Sequence, residues 1–291
     1  MMKEFDYLKP STLNGAHNLL VKHKREAYIF NGGTDLIVRM REEITNPNVV
    51  IDIKGIENLH EISYKNKECL SVGACVKLSE IPKYKDVTEK YAILTEAIHN
   101  IGSIQLRNRA TMTGNICNAS PLADSATPLL VLDAKIVIYG KEGLKRVLVK
   151  DFITGVRKTI LETGEIVTAI EIPIYEKPII GLFQKMSRRK MVDLSTVCGT
   201  VARINGEIRV ALGAVSPTPV RGVKTEAFLR GKVLTDEVIR EAGEIIVTDI
   251  SPISDIRASK EYRLDMAKLI VKRGLVHIRE GQLNWGEQSE A

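Results

Sequence analysis

The stretch from Ala27 to Ile53 constrains the fold most. Ala27-Tyr28-Ile29-Phe30 is short and apolar, runs straight into Asn31-Gly32-Gly33-Thr34-Asp35, and gives way to the amphipathic Leu36-Ile37-Val38-Arg39-Met40-Arg41. This order reads as strand, glycine turn and helix. Val49-Val50-Ile51-Asp52-Ile53 then reads as a buried strand, so the segment predicts a β-α-β unit with a parallel crossover. Ahead of it, Ser11-Thr12-Leu13-Asn14 opens a helix that closes on Lys22-His23-Lys24-Arg25, cationic as a helix C-terminus prefers.

The next block changes character. Short strands are expected at 61–64 and 69–73, a helical start at Leu78-Ser79-Glu80-Ile81, a helix from Tyr91 to Gly102, and further strands at 135–139, 145–149 and 166–172. Pro173 and Pro178 mark a boundary near residue 176. Beyond it, 181–186, 198–204 and 208–215 predict an antiparallel meander with Asn205-Gly206 as a hairpin turn, followed by helices at 226–229, 235–247 and 259–279. A chain of 291 residues suits roughly two domains. They are placed at 1–176, in lobes of about 1–57 and 58–176, and at 177–285, with a disordered tail over 286–291. The class is α+β.

Composition narrows the function. Lys and Arg (42) exceed Asp and Glu (36), but they are spread along the chain, and aromatics are only 5%, which argues against nucleic acid. The four cysteines, Cys69, Cys75, Cys117 and Cys198, show no C-x-x-C spacing, so no metal site is readable. With no signal-like or membrane-length apolar run, a reducing cytoplasm is the expected setting. No catalytic triad, paired carboxylates or metal ligand cluster stands out, and the five histidines are scattered. That pattern suits a redox protein whose chemistry belongs to a bound cofactor.

Two segments carry the candidate site. In Asn31-Gly32-Gly33-Thr34-Asp35, backbone N–H groups at the start of a helix can meet an anion, although an ordinary tight turn capped by Thr34 or Asp35 uses the same residues. The second runs from Arg107 to Asp124 and concentrates small polar residues between apolar stretches, as a loop built around a ligand would. Thr111, Gly114 and Asn115 can donate to phosphate oxygens, and Asp124 can accept from a ribose hydroxyl or a ring N–H; a hairpin whose Asn115, Asn118 and Ser120 satisfy their own backbone is the alternative. Neither G-x-G-x-x-G nor a Walker A lysine is present, so a bound dinucleotide needs another phosphate-binding geometry, for which two loops sharing one pyrophosphate are a sufficient design. The basic run Lys185 to Asp193 fits NAD phosphates, a subunit contact or a solvated loop.

Together, Asn31–Asp35, Arg107–Pro121 and Asp255-Ile256-Arg257-Ala258-Ser259-Lys260-Glu261-Tyr262-Arg263 resemble the FAD-binding subunit of the molybdenum hydroxylases, xanthine dehydrogenase type. The resemblance runs from the first helix to about residue 280, with three motifs in order. It implies a two-lobed, vanillyl-alcohol-oxidase-like (type 2) FAD-binding domain, followed by a C-terminal domain with a small antiparallel sheet and a helical bundle. By position it implies that Tyr28, Ile29, Phe30, Asn31, Gly32, Gly33, Thr34 and Asp35, with Thr111, Met112, Thr113, Gly114 and Asn115, hold the FAD pyrophosphate. It makes Asp124 the acidic flavin contact, Val167 and Lys185 later FAD contacts, and Leu194 a neighbour of the flavin ring.

The same resemblance implies non-covalent FAD as the only redox centre, and no catalytic or metal-ligating residue in this chain. Partners would be a molybdopterin large subunit and a small subunit with [2Fe-2S] clusters, in a heterotrimer or a dimer of heterotrimers. NAD+ would accept the electrons, and purine oxidation would be the reaction. A nicotinate-type, other aromatic or CO dehydrogenase is the alternative within the family; a stand-alone type 2 flavoprotein reductase or a flavin-free scaffold is the alternative outside it. Two departures stand out. Thr113-Gly114-Asn115 replaces the usual Gly-Gly-Asn, which places a side chain where backbone approach is normally free, and Asn31 is expected to need a glycine-like conformation.

Overall fold

The computed structural model describes residues 2–65, 68–190 and 192–289, with side chains through Gly281. Of the tail expected over 286–291, residues 286–289 continue the last helix, and 290–291 lie outside the described residues. Packing divides the chain into two compact units: residues up to Ile81 with Ser103–Ala119 and Ala134–Ile174, and Pro82–Gly102 with Ser120–Asp133 and everything from Tyr175 onward.

In the first unit, β1 (Asp6–Leu8), β2 (Ala27–Phe30) and β3 (Val49–Asp52) form a parallel sheet in the order β1-β3-β2. The β2–β3 crossover carries the helix Leu36–Arg41, as the sequence pattern requires. Val49 and Ile51 join Ala16 and Leu20 of the helix Leu13–His23 in one core. Thr12 starts that helix by accepting from Gly15 N–H at 3.0 Å.

A second sheet uses β4 (Ile62–Lys65), β5 (Cys69–Gly73), β6 (Lys135–Gly140), β7 (Gly143–Leu148) and, after a hairpin of β8 (Ile153–Gly155) and β9 (Lys158–Thr159), β10 (Ile166–Pro173). Its order is β4-β5-β10-β6-β7, antiparallel throughout. Central β10 is buried from Ile166 to Ile172, which accounts for its almost unbroken apolar run. A register shift between Val167 and Ala169 leaves the Thr168 carbonyl to accept from Ala74 N–H at 2.8 Å.

Three local expectations are corrected. The segment after Gly102 is largely helical: Ile104–Arg107 capped by Ser103, then Met112–Cys117 capped by Thr111. Hydroxyl caps placed three residues before the N–H groups they bind, with Met112 and Ile116 buried, favour helix over an open loop. Asn31 does not take a left-handed conformation; Gly33 does, at φ +74°, and an added Cβ there would strike the Phe30 ring. The helical start at Leu78 reduces to a 3₁₀ turn at Ile81–Lys83, and the next long helix ends at His99 instead of Gly102.

The second unit centres on β11 (Ile180–Met186), β12 (Val197–Ile204), β13 (Glu207–Gly213) and β14 (Val220–Arg221), an antiparallel sheet in chain order. Asn205 and Gly206 both have positive φ, 50° and 91°, and close the β12–β13 hairpin as a two-residue turn. The helices Val223–Leu229, Asp236–Ile245 and Lys260–Ser289 complete it, and Ala267, Ile270, Val271, Leu275 and Ile278 of the last pack with Val197, Val201 and Val210. The helices Ala92–His99 and Ala126–Val131 pack on this sheet too, so packing and a linear boundary near residue 176 differ at those segments.

Candidate functional site

In the first unit, the turn after β2 and the start of the Met112–Cys117 helix lie against each other. A Cβ on Gly32 would stand 2.5 Å from the Arg109 carbonyl oxygen and 2.9 Å from Ala110 Cα, so only glycine lets the two backbones touch. The Asn31 amide donates to the Ala74 carbonyl at 2.6 Å and to Thr111 Oγ1 at 3.1 Å. Thr111 Oγ1 also accepts from Gly114 N–H at 2.9 Å.

Among the described residues, the N–H groups of Gly32, Gly33, Thr34 and Thr113 have no protein acceptor. They are donors left for a ligand or solvent. A Cβ on Gly114 would meet Thr111 Oγ1 at 3.0 Å and otherwise open space. Donors without acceptors beside an open glycine fit a phosphate group, which brings acceptors only and needs close backbone approach. Thr113, which places a side chain where a glycine was the expectation, is 5% exposed.

Two side chains that the sequence did not single out brace this arrangement. Lys54 Nζ donates to the Asn31 carbonyl at 3.1 Å and to Asp52 Oδ1 at 2.6 Å, and lies 3.8 Å above the Phe30 ring centroid. Burial works against the Asp52 charge, but hydrogen bonds from Lys54 and Tyr7 hold its carboxyl below the usual range. Arg157, at the tip of the β8–β9 hairpin with φ +59°, donates from Nη1 to Asp35 Oδ2 at 3.0 Å and to Asn118 Oδ1. It thereby joins the end of the first turn to the end of the second helix. Only the Gly155-Val156-Arg157 turn hinted at it, and an arginine in left-handed backbone has no sequence signature.

In the second unit, Lys185 on β11 donates to Asp124 Oδ2 at 2.7 Å and to the Asn100 carbonyl at 2.9 Å. Ser195 donates to the other Asp124 oxygen. Burial pushes the Asp124 carboxyl up, and the Lys185 ammonium and the Ser195 hydroxyl oppose that. Asp124 and Lys185, far apart in sequence, are thus direct partners. Val167 is buried on β10 at 4% exposure, whereas Tyr28 is 42% and Leu194 53% exposed.

The third motif is a structural lock. Asp255 accepts from the N–H groups of Arg257 and Ala258 and from Arg263 Nη2 at 2.7 Å, while buried Arg263 reaches the carbonyls of Thr196 and Ala214. The turn entering the last helix is therefore tied to the end of β13 and the start of β12.

Comparison with known proteins gives these arrangements a family. Residues 3–175 match the model of the FAD binding domain in molybdopterin dehydrogenase, and residues 182–278 that of the CO dehydrogenase flavoprotein C-terminal domain. The chain belongs to the FAD-binding subunits of the molybdenum hydroxylases. A xanthine dehydrogenase FAD-binding subunit of Escherichia coli O157:H7 is 32% identical over 273 residues, 92% of this chain and 93% of that protein. The carbon monoxide dehydrogenase structure from Hydrogenophaga pseudoflava superposes with TM-score 0.91 at 27% identity, over 96% of this chain and 98% of that one. Quinoline 2-oxidoreductase of Pseudomonas putida 86 gives 0.89 at 28% identity, covering 97% and 99%.

Proposed function

We propose that this flavin subunit holds FAD non-covalently, with residues Tyr28–Asp35 and Thr111–Asn115 forming a split cradle for the pyrophosphate. The observation that carries the reading is the Gly32 contact with Arg109 and Ala110, which sets two segments that each carry unpartnered N–H groups against one another. Asp124, Val167 and Lys185 are further cofactor contacts in this proposal. Asp124 is kept in place by Lys185 and Ser195, so its carboxylate is fixed before any cofactor arrives.

Bound FAD supplies the step from single-electron to hydride transfer. The chain's own residues bind and orient it: backbone N–H groups meet the phosphates, Gly114 leaves room for them, and Arg157 and Lys54 stiffen the turn. In the proposed complex, electrons come from the [2Fe-2S] clusters of a small subunit, after substrate oxidation at a molybdopterin large subunit, and leave to NAD+. Purine or xanthine is the favoured substrate class, supported by the 32% identity to the xanthine dehydrogenase subunit. The modules are 1–176 and 177–285, and the setting is the cytoplasm; no described helix is long and apolar enough to cross a membrane.

Anaerobic mixing of the FAD-loaded protein with NADH tests the acceptor. Bleaching of the flavin absorption is expected, and an unchanged spectrum on the timescale of turnover contradicts the NAD assignment. Co-purification with the two partner subunits, followed by xanthine addition, tests the rest: flavin reduction by xanthine is expected, and reduction only by another substrate refutes the purine assignment.

A further inference from the structure

We infer that Asn31 is a positioning residue that staples the two halves of the cradle into one pre-formed phosphate site, an inference that rests on the FAD reading above. Its side chain makes no use of the left-handed backbone that asparagine tolerates well. Instead, the Nδ2 group spans from the first segment to the Ala74 carbonyl and to Thr111 Oγ1, the cap of the second. The Ala74 carbonyl, an obligate acceptor, requires the amide nitrogen on this side.

The cost of this arrangement is visible. Asn31 Oδ1 is buried without a hydrogen-bond partner. An apolar residue would avoid that penalty, so the amide's value lies in its donor end. Through Thr111 Oγ1, which also receives the Gly114 N–H, the staple fixes the backbone of the residue whose missing side chain leaves the cradle open. On the other flank, Lys54 holds the Asn31 carbonyl. Asn31 is therefore gripped at its backbone and grips the second segment with its side chain. The two segments are joined before a cofactor binds, and FAD meets them already aligned.

The experiment is a titration of the deflavinated full-length chain with FAD, read by flavin fluorescence, for the wild type, Asn31→Ala and Asn31→Asp. If the donor is what matters, Asn31→Ala weakens binding about tenfold, ~1.4 kcal/mol. Asn31→Asp, which keeps the shape but turns a carboxylate toward the Ala74 carbonyl, weakens it further. A space-filling role predicts the reverse order. Thr111→Val, which removes the shared acceptor together with the Gly114 cap, costs less in the Asn31→Ala background than in the wild type if the staple exists, whereas full additivity rejects it. Thr111→Ser, which keeps the hydroxyl, binds more tightly than Thr111→Val. Failure of the wild type itself to take up FAD overturns the functional reading; wild-type binding with unchanged Asn31 variants overturns the staple alone. Should Asn31→Ala not fold, the Thr111→Val and Thr111→Ser pair still decides: equal affinities refute the proposal.

Discussion

Lys185 Nζ stands 2.7 Å from Asp124 Oδ2, and each side chain is 7% exposed. The pair links β11 to the turn before the Ala126–Val131 helix and is completed by Ser195 and the Asn100 carbonyl. Removing one member leaves a buried charge alone. Lys185→Met is expected to destabilise the protein by about 3–5 kcal/mol in chemical unfolding, and Lys185→Met with Asp124→Leu by clearly less. The single variant should lose stability as pH rises, because its Asp124 carboxyl, pushed further up in the folded state, favours the protonated form. Equal losses in single and double variants contradict the role assigned to the pair.

Asp255 predicts an acid-side effect of opposite sign. Burial opposes its charge, but the N–H groups of Arg257 and Ala258 and the Arg263 guanidinium hold its carboxyl down to about 2. A folded-state value below the unfolded one gives stability that is present above about pH 4 and lost as pH falls through the folded value, an effect that solvent screening of this exposed carboxylate holds to about 1 kcal/mol or less. Asp255→Asn should lower stability at neutral pH and flatten the decline between those limits, measured by urea unfolding across the range. An unchanged profile speaks against the lock.

Gly32→Ala tests the contact between the two segments. Its Cβ would overlap the Arg109 carbonyl, so the backbones must part. We expect a stability loss of about 1–3 kcal/mol from overpacking, and FAD content of the purified protein reduced to a small fraction. Gly114→Leu, whose Cβ meets Thr111 Oγ1 at 3.0 Å, should cut FAD content while lowering the unfolding midpoint of the flavin-free protein less than Gly32→Ala does. Full occupancy in both variants is incompatible with the cradle.

The thiols are expected to be unequal. Burial pushes Cys75 up to about 12 and Cys198 beyond that, and the two are 3% and 0% exposed. Mass spectrometry after brief alkylation of the native protein should find Cys69 modified well before either, and early labelling of Cys198 contradicts this burial.

Legibility of the sequence followed the reach of the interactions. The β2-turn-helix-β3 unit, the β12–β13 hairpin at Asn205-Gly206 and the terminal helix were readable, because apolar periodicity and turn chemistry act within a few residues. The helical character of 112–117 was missed because Thr111 was read as a ligand contact when it also caps a helix. The pairing of Asp124 with Lys185, the clasp from Arg157 to Asp35 and the support from Lys54 to Asn31 depend on three-dimensional proximity, which no local pattern encodes. β1, three residues long, is defined only by its pairing with β3.

In the proposed cradle, backbone donors of two separate segments bind one pyrophosphate. ADP carries the pyrophosphate that adenosine lacks, so displacing FAD from the reconstituted chain with each in parallel isolates that contribution. One FAD per chain is expected, with ADP binding at least about a hundredfold, ~2.8 kcal/mol, more tightly than adenosine. Equal affinities for the two would contradict it.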